Sequence, residues 1–316
     1  MGVSLTFPSN PTTEDIFRAR IFEEPLVPMG ADPTPSESSD FAAALTAFAE
    51  CGDPDDFSAL REFLDAHPHS PWNGALLTNL GLVYYRRGYY SRALQAWESA
   101  STIARAVTDP AQKPLADRAL GELAYLLAKI GRMSELDALL QSVEHRGFSG
   151  PATEKIGGAR AGLAEMRNRP EVSFRCGPLA LHRIMLAVHP QDPRTELIAA
   201  CESTPSGFSL NQVGELSRQL GLHYQMAFRE PGADLIVPSV VHLAVDHFAA
   251  VMRRQGGRYL LEDPTFKTDA WVTEAALDAE TSGYFLVPPG ELSAGWRTVE
   301  PAEASRVWGH GIAKVV

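Results

Sequence analysis

The chain has 316 residues, of which 45% are hydrophobic and 21% are charged, so it is typical of a globular protein with room for two domains. Its net charge of −11 argues against nucleic acid or an anionic membrane surface as the main partner, and no apolar run approaches the roughly 18 residues of a membrane span. Cys51, Cys176 and Cys201 are too few and too scattered for a disulfide framework or a zinc site, so a reducing, cytoplasmic setting is expected.

Residues 1–37 are rich in proline and indicate an irregular lead-in. Helical spacing follows, and Ser39 or Asp40 is expected to cap a helix that ends at Glu50. Pro54 is expected to start the next helix, because proline is well tolerated in a first helical turn.

Residues 75–100 have the spacing of a helix, a turn at Gly88 and a second helix, in a pattern that resembles the tetratricopeptide repeat. A weaker copy, with its turn at Gly131, spans 123–143. A generic antiparallel helical array would give a similar pattern. In either case residues 38–167 are expected to form an α-helical repeat domain that recruits a peptide or protein partner. The residues that carry the first copy are Leu80, Gly81, Tyr84, Ala93, Trp97 and Ala100.

After residue 167 the pattern changes from helices to strands. Ser209 is expected to cap a helix from about 210 to 220, and runs with a period of two residues follow it. Helices first and strands second favour an α+β domain over 168–288. Residues 289–316 are expected to be a tail or the start of a further segment. The expected strands are 223–229, 235–245, 247–254, 258–264 and 283–289.

Cys176 stands directly before Gly177 and Pro178 and a run of apolar residues at helical spacing. Pro178 fits a first helical turn, so Cys176 is expected at a helix N-terminus. There the unpaired N–H groups and the positive end of the helix dipole favour a thiolate, the reactive form of cysteine. The alternative is a small, buried and unreactive side chain, which is what most free cysteines are. The apolar stripe comprises Leu179, Leu181, Ile184, Met185 and Val188.

A reactive cysteine needs a base, and the base needs a group that orients it. His247 opens one expected strand, Gly256 and Gly257 make a tight turn, and Asp263 closes the returning strand. Antiparallel pairing therefore brings Asp263 to the position next to His247 or one diagonal step away, at roughly 5 to 8 Å between Cβ atoms. Another register of the same hairpin places Phe248 opposite Asp263. Taken singly, His247 also fits a core histidine, and Asp263 also fits a turn residue before Pro264.

Three motifs, in this order, resemble the papain-like cysteine peptidases that process bacteriocins at double-glycine leaders. They are RCGPLAL around Cys176, VVHLAVDHFAAVM around His247 and YLLEDP around Asp263, within about 169–288. The resemblance implies that Cys176 is the nucleophile, His247 the base and then the acid, and Asp263 the orienting group. By the same match His242 takes the place of a non-catalytic histidine. The resemblance also implies a peptide or protein substrate cut after a small or Gly-Gly site, with no metal or cofactor.

One position departs from that family. Its members usually carry an oxyanion-stabilising glutamine about six residues before the cysteine, and here that position is Pro170. Asn168 and Ser173 are the nearest polar side chains, and neither is in register. Loss of such a donor can cost about 10²- to 10³-fold in kcat, although the backbone N–H of Cys176 can supply one donor. A non-catalytic peptidase-like scaffold or binding module within a larger protein therefore stays open as the alternative.

The expected architecture is multidomain, with an all-α, tetratricopeptide-like N-terminal domain followed by an α+β, papain-like cysteine peptidase domain. The expected activity is hydrolysis of a peptide bond through a thioester, carried by Cys176, His247 and Asp263, with the helical repeats recruiting the substrate or a partner.

Overall fold

The computed structural model describes residues 5–266 and 268–312, so the first four residues of the expected lead-in and the last four of the expected tail lie outside it. The chain divides into two compact units, each built from separate stretches. Unit 1 comprises Met1–Val83, Ala93–Leu123 and His145–Lys155. Unit 2 comprises Tyr84–Arg92, Ala124–Glu144 and Ile156–Val316.

The first half of the described chain is helical. Two start signals differ from the expected ones. Thr34, and not Ser39 or Asp40, caps α2, because its hydroxyl and the carboxylate of Glu37 form a reciprocal capping box with Pro35 in the first turn. The helix after it begins at Ser58 and not at Pro54. The helices are α1 Thr13–Arg18, α2 Pro35–Glu50, α3 Ser58–Ala66, α4 Asn73–Arg86, α5 Tyr90–Ala104, α6 Lys113–Lys129, α7 Met133–Ser142 and α8 Pro151–Asn168.

Helices α4 and α5 form the helical hairpin that the spacing predicts around Gly88, and α6 and α7 follow each other along the chain with a turn at Gly131 between them. In unit 1 the indole of Trp97 lies against Gly81, where a Cβ atom would come within 2.2 Å of Trp97 Nε1. The indole N–H donates to the carbonyl of Thr78 at 3.2 Å, so its polar atom is satisfied although the ring is fully buried. The first hairpin is observed, and the assignment of these helices to the tetratricopeptide family stays a prediction.

The second half of the described chain mixes helices and strands. Its helices are α9 Pro170–Ser173, α10 Cys176–Val188, α11 Glu196–Ala199, α12 Leu210–Gln219, α13 Glu274–Glu280 and α14 Pro301–Ala304, with a short 3₁₀ turn at Pro193–Thr195. Its strands are β1 Phe208–Ser209, β2 Gln225–Arg229, β3 Ser239–Leu243, β4 His247–Gln255, β5 Arg258–Asp263, β6 Thr268–Thr273, β7 Thr281–Val287, β8 Trp296–Thr298 and β9 Trp308–Gly309.

Within the described residues β2 to β8 form a seven-stranded antiparallel sheet in the order β6-β5-β4-β3-β7-β2-β8, and β1 pairs with β9 in a separate ribbon. The five predicted strands are all present, with ends shifted by a few residues, and the predicted α+β character is confirmed. Strands β6 and β8 were not predicted. β6 carries the polar residues Thr268 and Asp269, and β8 has only three residues, so neither has a clear period of two.

Helix α10 packs on the sheet with Leu179, Leu181, Ile184 and Met185 fully or nearly fully buried. Val188, expected on the same face, is 46% exposed because the helix ends there and its last turn leaves the sheet. The helix lies against β4 and α12 in one apolar cluster that includes Phe248 and Val213.

Two stretches from the helical half of the chain, Tyr84–Arg92 and Ala124–Glu144, belong to the same unit as the sheet. In the first of these stretches, Tyr90 stacks on Phe266 with 4.3 Å between ring centroids. Ser91 donates from its N–H and its hydroxyl to the two carboxylate oxygens of Glu280, at 2.7 and 2.8 Å. Burial raises the pKa of Glu280. No helix in the described part of the chain is long and apolar enough to cross a membrane.

Candidate active site

The site is built on the pairing of β4 with β5. Ala250 lies opposite Glu262 in this antiparallel pair, so Asp263 at the end of β5 reaches the beginning of β4, where His247 stands. A bulge between Val251 and Arg253 shifts the register of the outer part of the hairpin and leaves this inner end regular. His247 Nε2 lies 2.6 Å from Asp263 Oδ2, and both side chains are buried. The hairpin thus joins the imidazole and the carboxylate that the sequence predicts as neighbours.

The second carboxylate oxygen of Asp263 is also held. Oδ1 accepts the backbone N–H of Thr265 at 2.8 Å and that of Phe266 at 3.3 Å. This is the turn that aspartate commonly forms with the backbone two residues further on, and Pro264 lies within it. The sequence allows two interpretations of Asp263, as a turn residue and as the group that orients His247. Both fit the structure, because one carboxylate oxygen accepts the N–H groups of the turn and the other contacts the imidazole.

The charge of His247 is set by its neighbours. Burial acts to lower the pKa of this imidazole, but the charge of Asp263, together with the contact with Cys176, outweighs burial and raises the pKa to about 10. The protonated ring is therefore the stable form at neutral pH. A protonated imidazole that is buried between a carboxylate and a thiol is the ion-pair arrangement that activates cysteine nucleophiles.

Cys176 is the first residue of α10, as predicted, and it is almost fully buried. Gly177 allows this helix start to approach α12, since a Cβ atom there would come within 2.5 Å of Val213. A Cβ atom built on Gly311 would lie 1.9 Å from His247 Nδ1 and 3.0 Å from Cys176 Cβ, which limits the separation of those two atoms to 4.9 Å. Nδ1 is buried and forms no ordinary hydrogen bond with a nitrogen or oxygen of the described residues. The ring therefore presents Nε2 to Asp263 and Nδ1 towards Cys176.

Aromatic rings close one side of the imidazole. Phe266 lies edge-on to His247 with 5.1 Å between ring centroids, and Tyr90 stacks on the other side of that Phe266 ring. Tyr85 contacts the same phenyl ring edge-on at 5.7 Å. These rings exclude water from the imidazole, and a low local dielectric strengthens its interaction with the carboxylate.

Residues 307–312, here called the covering segment, lie directly over Cys176 and His247. A Cβ atom on Gly309 would come within 3.1 Å of Cys176 Sγ and 2.4 Å of the Phe248 ring. The corresponding atom on Gly311 would collide with the imidazole of His247. Sequence reasoning missed these two glycines because they lie in what was expected to be a tail. The Gly-x-Gly spacing in RVWGHGI is the only signal, and glycine pairs of that kind are common in loops.

His242 lies beside the site without joining it. Its Nδ1 is 2.7 Å from the hydroxyl of Ser282, and its Nε2 is 2.8 Å from the carbonyl oxygen of Trp308. Burial lowers the pKa of His242 to about 4, so the ring is neutral at physiological pH and donates from Nε2 to that carbonyl. His242 thus contacts the covering segment through the carbonyl of Trp308, and its lack of a catalytic role stays a prediction.

Pro170 begins the short helix α9 and carries no donor. Ser173 is buried, and its hydroxyl donates to the carbonyl of Arg169 at 2.7 Å, so this hydroxyl is already engaged. Asn168 ends α8 on the exposed surface. The remaining candidates for an oxyanion donor are the first N–H groups of α10, which have no partner one turn earlier in the helix. Of these, the N–H of Cys176 lies on the nucleophile's own residue.

Cys51 and Cys201 are free, partly exposed thiols, and burial raises the pKa of Cys201. Among residues 5–266 and 268–312 no three or more His, Cys, Asp or Glu side chains are grouped as metal ligands would be.

No protein-family model matches the chain, and no curated protein matches it. Among solved structures, the chain is similar to a double glycine motif protease from an AMS/PCAT transporter in complex with the leader peptide. The identity is 22%, the match covers 36% of this chain and 84% of that one, and the TM-score is 0.32.

Proposed function

We propose that this chain is a cysteine peptidase that hydrolyses a peptide bond with Cys176 as nucleophile, His247 as acid and base, and Asp263 as the orienting group. The observation that carries the proposal is the buried hydrogen bond of 2.6 Å between His247 and Asp263, with the opposite ring nitrogen turned to a cysteine at a helix N-terminus. A core histidine needs neither an anionic partner nor an adjacent thiol, so three such groups in contact favour chemistry over packing.

The first half of the reaction forms a thioester. The Cys176 thiolate attacks the carbonyl carbon of the substrate, a C–S bond forms, and the C=O π electrons move to the oxygen. The N–H groups at the start of α10 are the donors for that oxyanion, with the backbone N–H of Cys176 first among them. His247 then gives the proton on Nδ1 to the leaving amine as the C–N bond breaks. Asp263 keeps the ring oriented through Nε2 and stabilises its charge while the proton is held.

The second half returns the enzyme to its starting state. His247, now neutral, takes a proton from water through Nδ1 as that water attacks the thioester carbonyl. The C–S bond breaks, the peptide carboxylate leaves, and the thiolate reforms beside a protonated imidazole. The raised pKa of His247, about 10, favours this ion pair as the resting state.

The substrate is proposed to be a peptide or protein segment cut after a small or Gly-Gly site, and the helical repeats are proposed to recruit it or a partner. These parts rest on the sequence motifs. The second candidate is a peptidase-like scaffold without catalysis, and the observation that favours it is Pro170 at the position where the resembled family has its glutamine. The two candidates make opposite predictions about the thiol.

The test combines covalent capture with hydrolysis. A peptide ending in a Gly-Gly vinyl sulfone should alkylate Cys176, and a fluorogenic peptide with a Gly-Gly site should be cut by the wild type and not by Cys176→Ala, because the nucleophile is gone. Cys201→Ala is the matched control, since it removes a free thiol that lies outside the site.

Mass spectrometry identifies the alkylated residue, and initial rates measure hydrolysis. Hydrolysis that survives in Cys176→Ala would contradict the proposal. A wild type that neither captures the probe at Cys176 nor cuts the peptide would favour the scaffold.

A further inference from the structure

The covering segment is held in an extended conformation by its backbone. The carbonyl of Val307 accepts the N–H of Leu210 at 2.8 Å, and β9 pairs with β1 so that Gly309 lies opposite Phe208. The N–H of His310 donates to the carbonyl of Asp246 at 2.9 Å. Bonds to the main chain on both sides hold any extended peptide, whatever its side chains, as in strand addition to a sheet edge.

Two positions of the covering segment restrict which side chains fit over Cys176 and His247. Gly309 and Gly311 are the points where the backbone of the covering segment comes closest to the thiol and the imidazole, and a Cβ atom at either position would collide with Phe248 or His247. His310, between them, can carry a side chain because it points away from both contacts in an extended chain, where neighbours alternate in direction. The space that the covering segment occupies, here called the cleft, therefore requires glycine at two positions and admits a side chain at the position between them.

The segment continues beyond the site. The N–H of Ile312 donates to the carbonyl of Lys129 at 2.8 Å, and Ile312 lines a cavity of about 340 Å³ together with Tyr125, Gly162 and Pro264. This cavity gives room for an apolar side chain one residue after the second glycine. The path thus has a strand-pairing part, a glycine-selective part over the thiol and an apolar pocket.

The covering segment and a second peptide exclude each other. Cys176 is 1% exposed and His247 is 0% exposed with the segment in place, so another peptide can reach the thiol only while the segment is displaced. We propose that residues 307–312 are an intramolecular ligand of the peptide-binding cleft, that this cleft selects an extended peptide with glycine at two positions one residue apart, and that the segment must leave before such a peptide enters. This inference rests on the proposed function for the statement that the cleft is the substrate cleft.

The test measures how fast a bulky maleimide alkylates Cys176. Gly309→Ala and Gly311→Ala should each increase that rate about 10-fold or more, because the added methyl group displaces the segment from a tightly packed contact. Gly52→Ala is the matched control, since a Cβ atom at this surface glycine would meet nothing within 4 Å. The Cys176 rate is divided by the Cys201 rate in the same sample, so that general unfolding, which exposes both thiols, is not mistaken for displacement.

A peptide arm tests selectivity. The peptide Trp-Gly-His-Gly-Ile should slow the alkylation of Cys176 in Gly311→Ala, and the same peptide with alanine at both glycine positions should not. Equal protection by the two peptides would overturn the glycine selectivity.

A third measurement uses the wild-type chain alone. Hydrogen exchange at the amides of His310 and Ile312 should become faster after a maleimide has modified Cys176, because the modified thiol and the segment cannot share the cleft. Unchanged exchange after modification, or alkylation rates in both alanine variants equal to those of Gly52→Ala, would overturn the inference. Displacement without any hydrolysis of glycine peptides would leave the inference standing and contradict the proposed function, so the two failures are distinguishable.

Discussion

At the scale of single residues, the site depends on how His247 is charged. A histidine in an apolar core is normally neutral, because burial disfavours the cation. Here the carboxylate of Asp263 and the thiol of Cys176 lie on opposite sides of the ring and reverse that preference. His242, on the neighbouring strand, shows the ordinary case, since its partners are a hydroxyl and a carbonyl and its pKa falls to about 4.

This difference makes a prediction about pH. The pKa of His247 is about 10 in the folded chain and about 6.5 in the unfolded one, so the folded state binds the proton more tightly. The resulting contribution to the free energy of unfolding is fully present below pH 6.5 and is lost as the pH rises through about 10. Asp263→Asn removes the largest influence that raises the pKa of His247. We therefore expect the free energy of unfolding of this variant to decline less steeply between pH 6.5 and about 10. Denaturant melts at several pH values measure it.

The matched control for this prediction is Asp269→Asn, because Asp269 is an exposed carboxylate on β6. It should keep the wild-type decline. Parallel pH curves for the wild type and Asp263→Asn would show that the carboxylate does not set the charge of His247.

The three residues of the candidate site could be predicted from the sequence, but the segment that covers them could not. Cys176, His247 and Asp263 stand in local contexts with physical meaning, namely a helix start and the two ends of one hairpin. The contact of Gly309 and Gly311 with these residues depends on where the chain returns after β8 and α14, and no local pattern determines that path. The same reason explains why the stacking of Tyr90 on Phe266 was not expected.

At the scale of secondary-structure elements, apolar spacing predicted the long helices and the central strands well, and their ends less well. The start of α2 shows why. A capping box with a proline in the first turn, Thr34-Pro35-x-Glu37, competed with Ser39 and Asp40, and the box satisfies two N–H groups at once. Strands as short as β8 or β9 form because a neighbour offers free backbone groups, and a neighbour cannot be identified from the residues of the strand.

The contact of α4 with α5 can be tested directly. Trp97→Ala should lower the free energy of unfolding by about 3 to 5 kcal/mol, as for other buried aromatic residues. Gly81→Ala should lower it by about 1 to 3 kcal/mol, because a methyl group would overlap the indole ring. The double variant should lose less than the sum, since the cavity left by Trp97 accepts the methyl group. Urea denaturation of the four proteins gives the coupling.

Gly157→Ala is the helical control for this cycle. Gly157 is exposed on α8, a Cβ atom there meets nothing within 4 Å, and alanine should stabilise the helix by about 0.5 to 1 kcal/mol. Strict additivity of Gly81→Ala and Trp97→Ala would mean that these two residues are not in contact.

At the scale of the whole molecule, unit 2 is assembled from three stretches that are separate along the chain. The first turn of α5 contributes Tyr90, which stacks on Phe266, and Ser91, which binds Glu280. The surroundings of His247 therefore include a helical turn far away in sequence.

This arrangement predicts a distant effect on catalysis. Tyr90→Ala should reduce kcat/KM by up to about 100-fold, because Phe266 loses the ring that supports it and the imidazole is no longer held in place. Tyr90→Phe keeps the stacked ring and should stay within about threefold of the wild type. Steady-state hydrolysis of the Gly-Gly peptide measures both. Equal losses in the two variants would assign the effect to the phenolic hydroxyl and contradict the role of stacking.

The covering segment also has a consequence for the order of events during synthesis. The ribosome synthesises a chain from its N-terminus, so Cys176, His247 and Asp263 emerge well before Gly309 and Gly311. About 46 residues separate Asp263 from Gly309, which corresponds to a few seconds at roughly 5 to 20 residues per second. For that interval every nascent copy carries its thiol, base and carboxylate without the two glycines that later cover them. The newly made chain therefore passes through a state in which the covering segment has not yet been added.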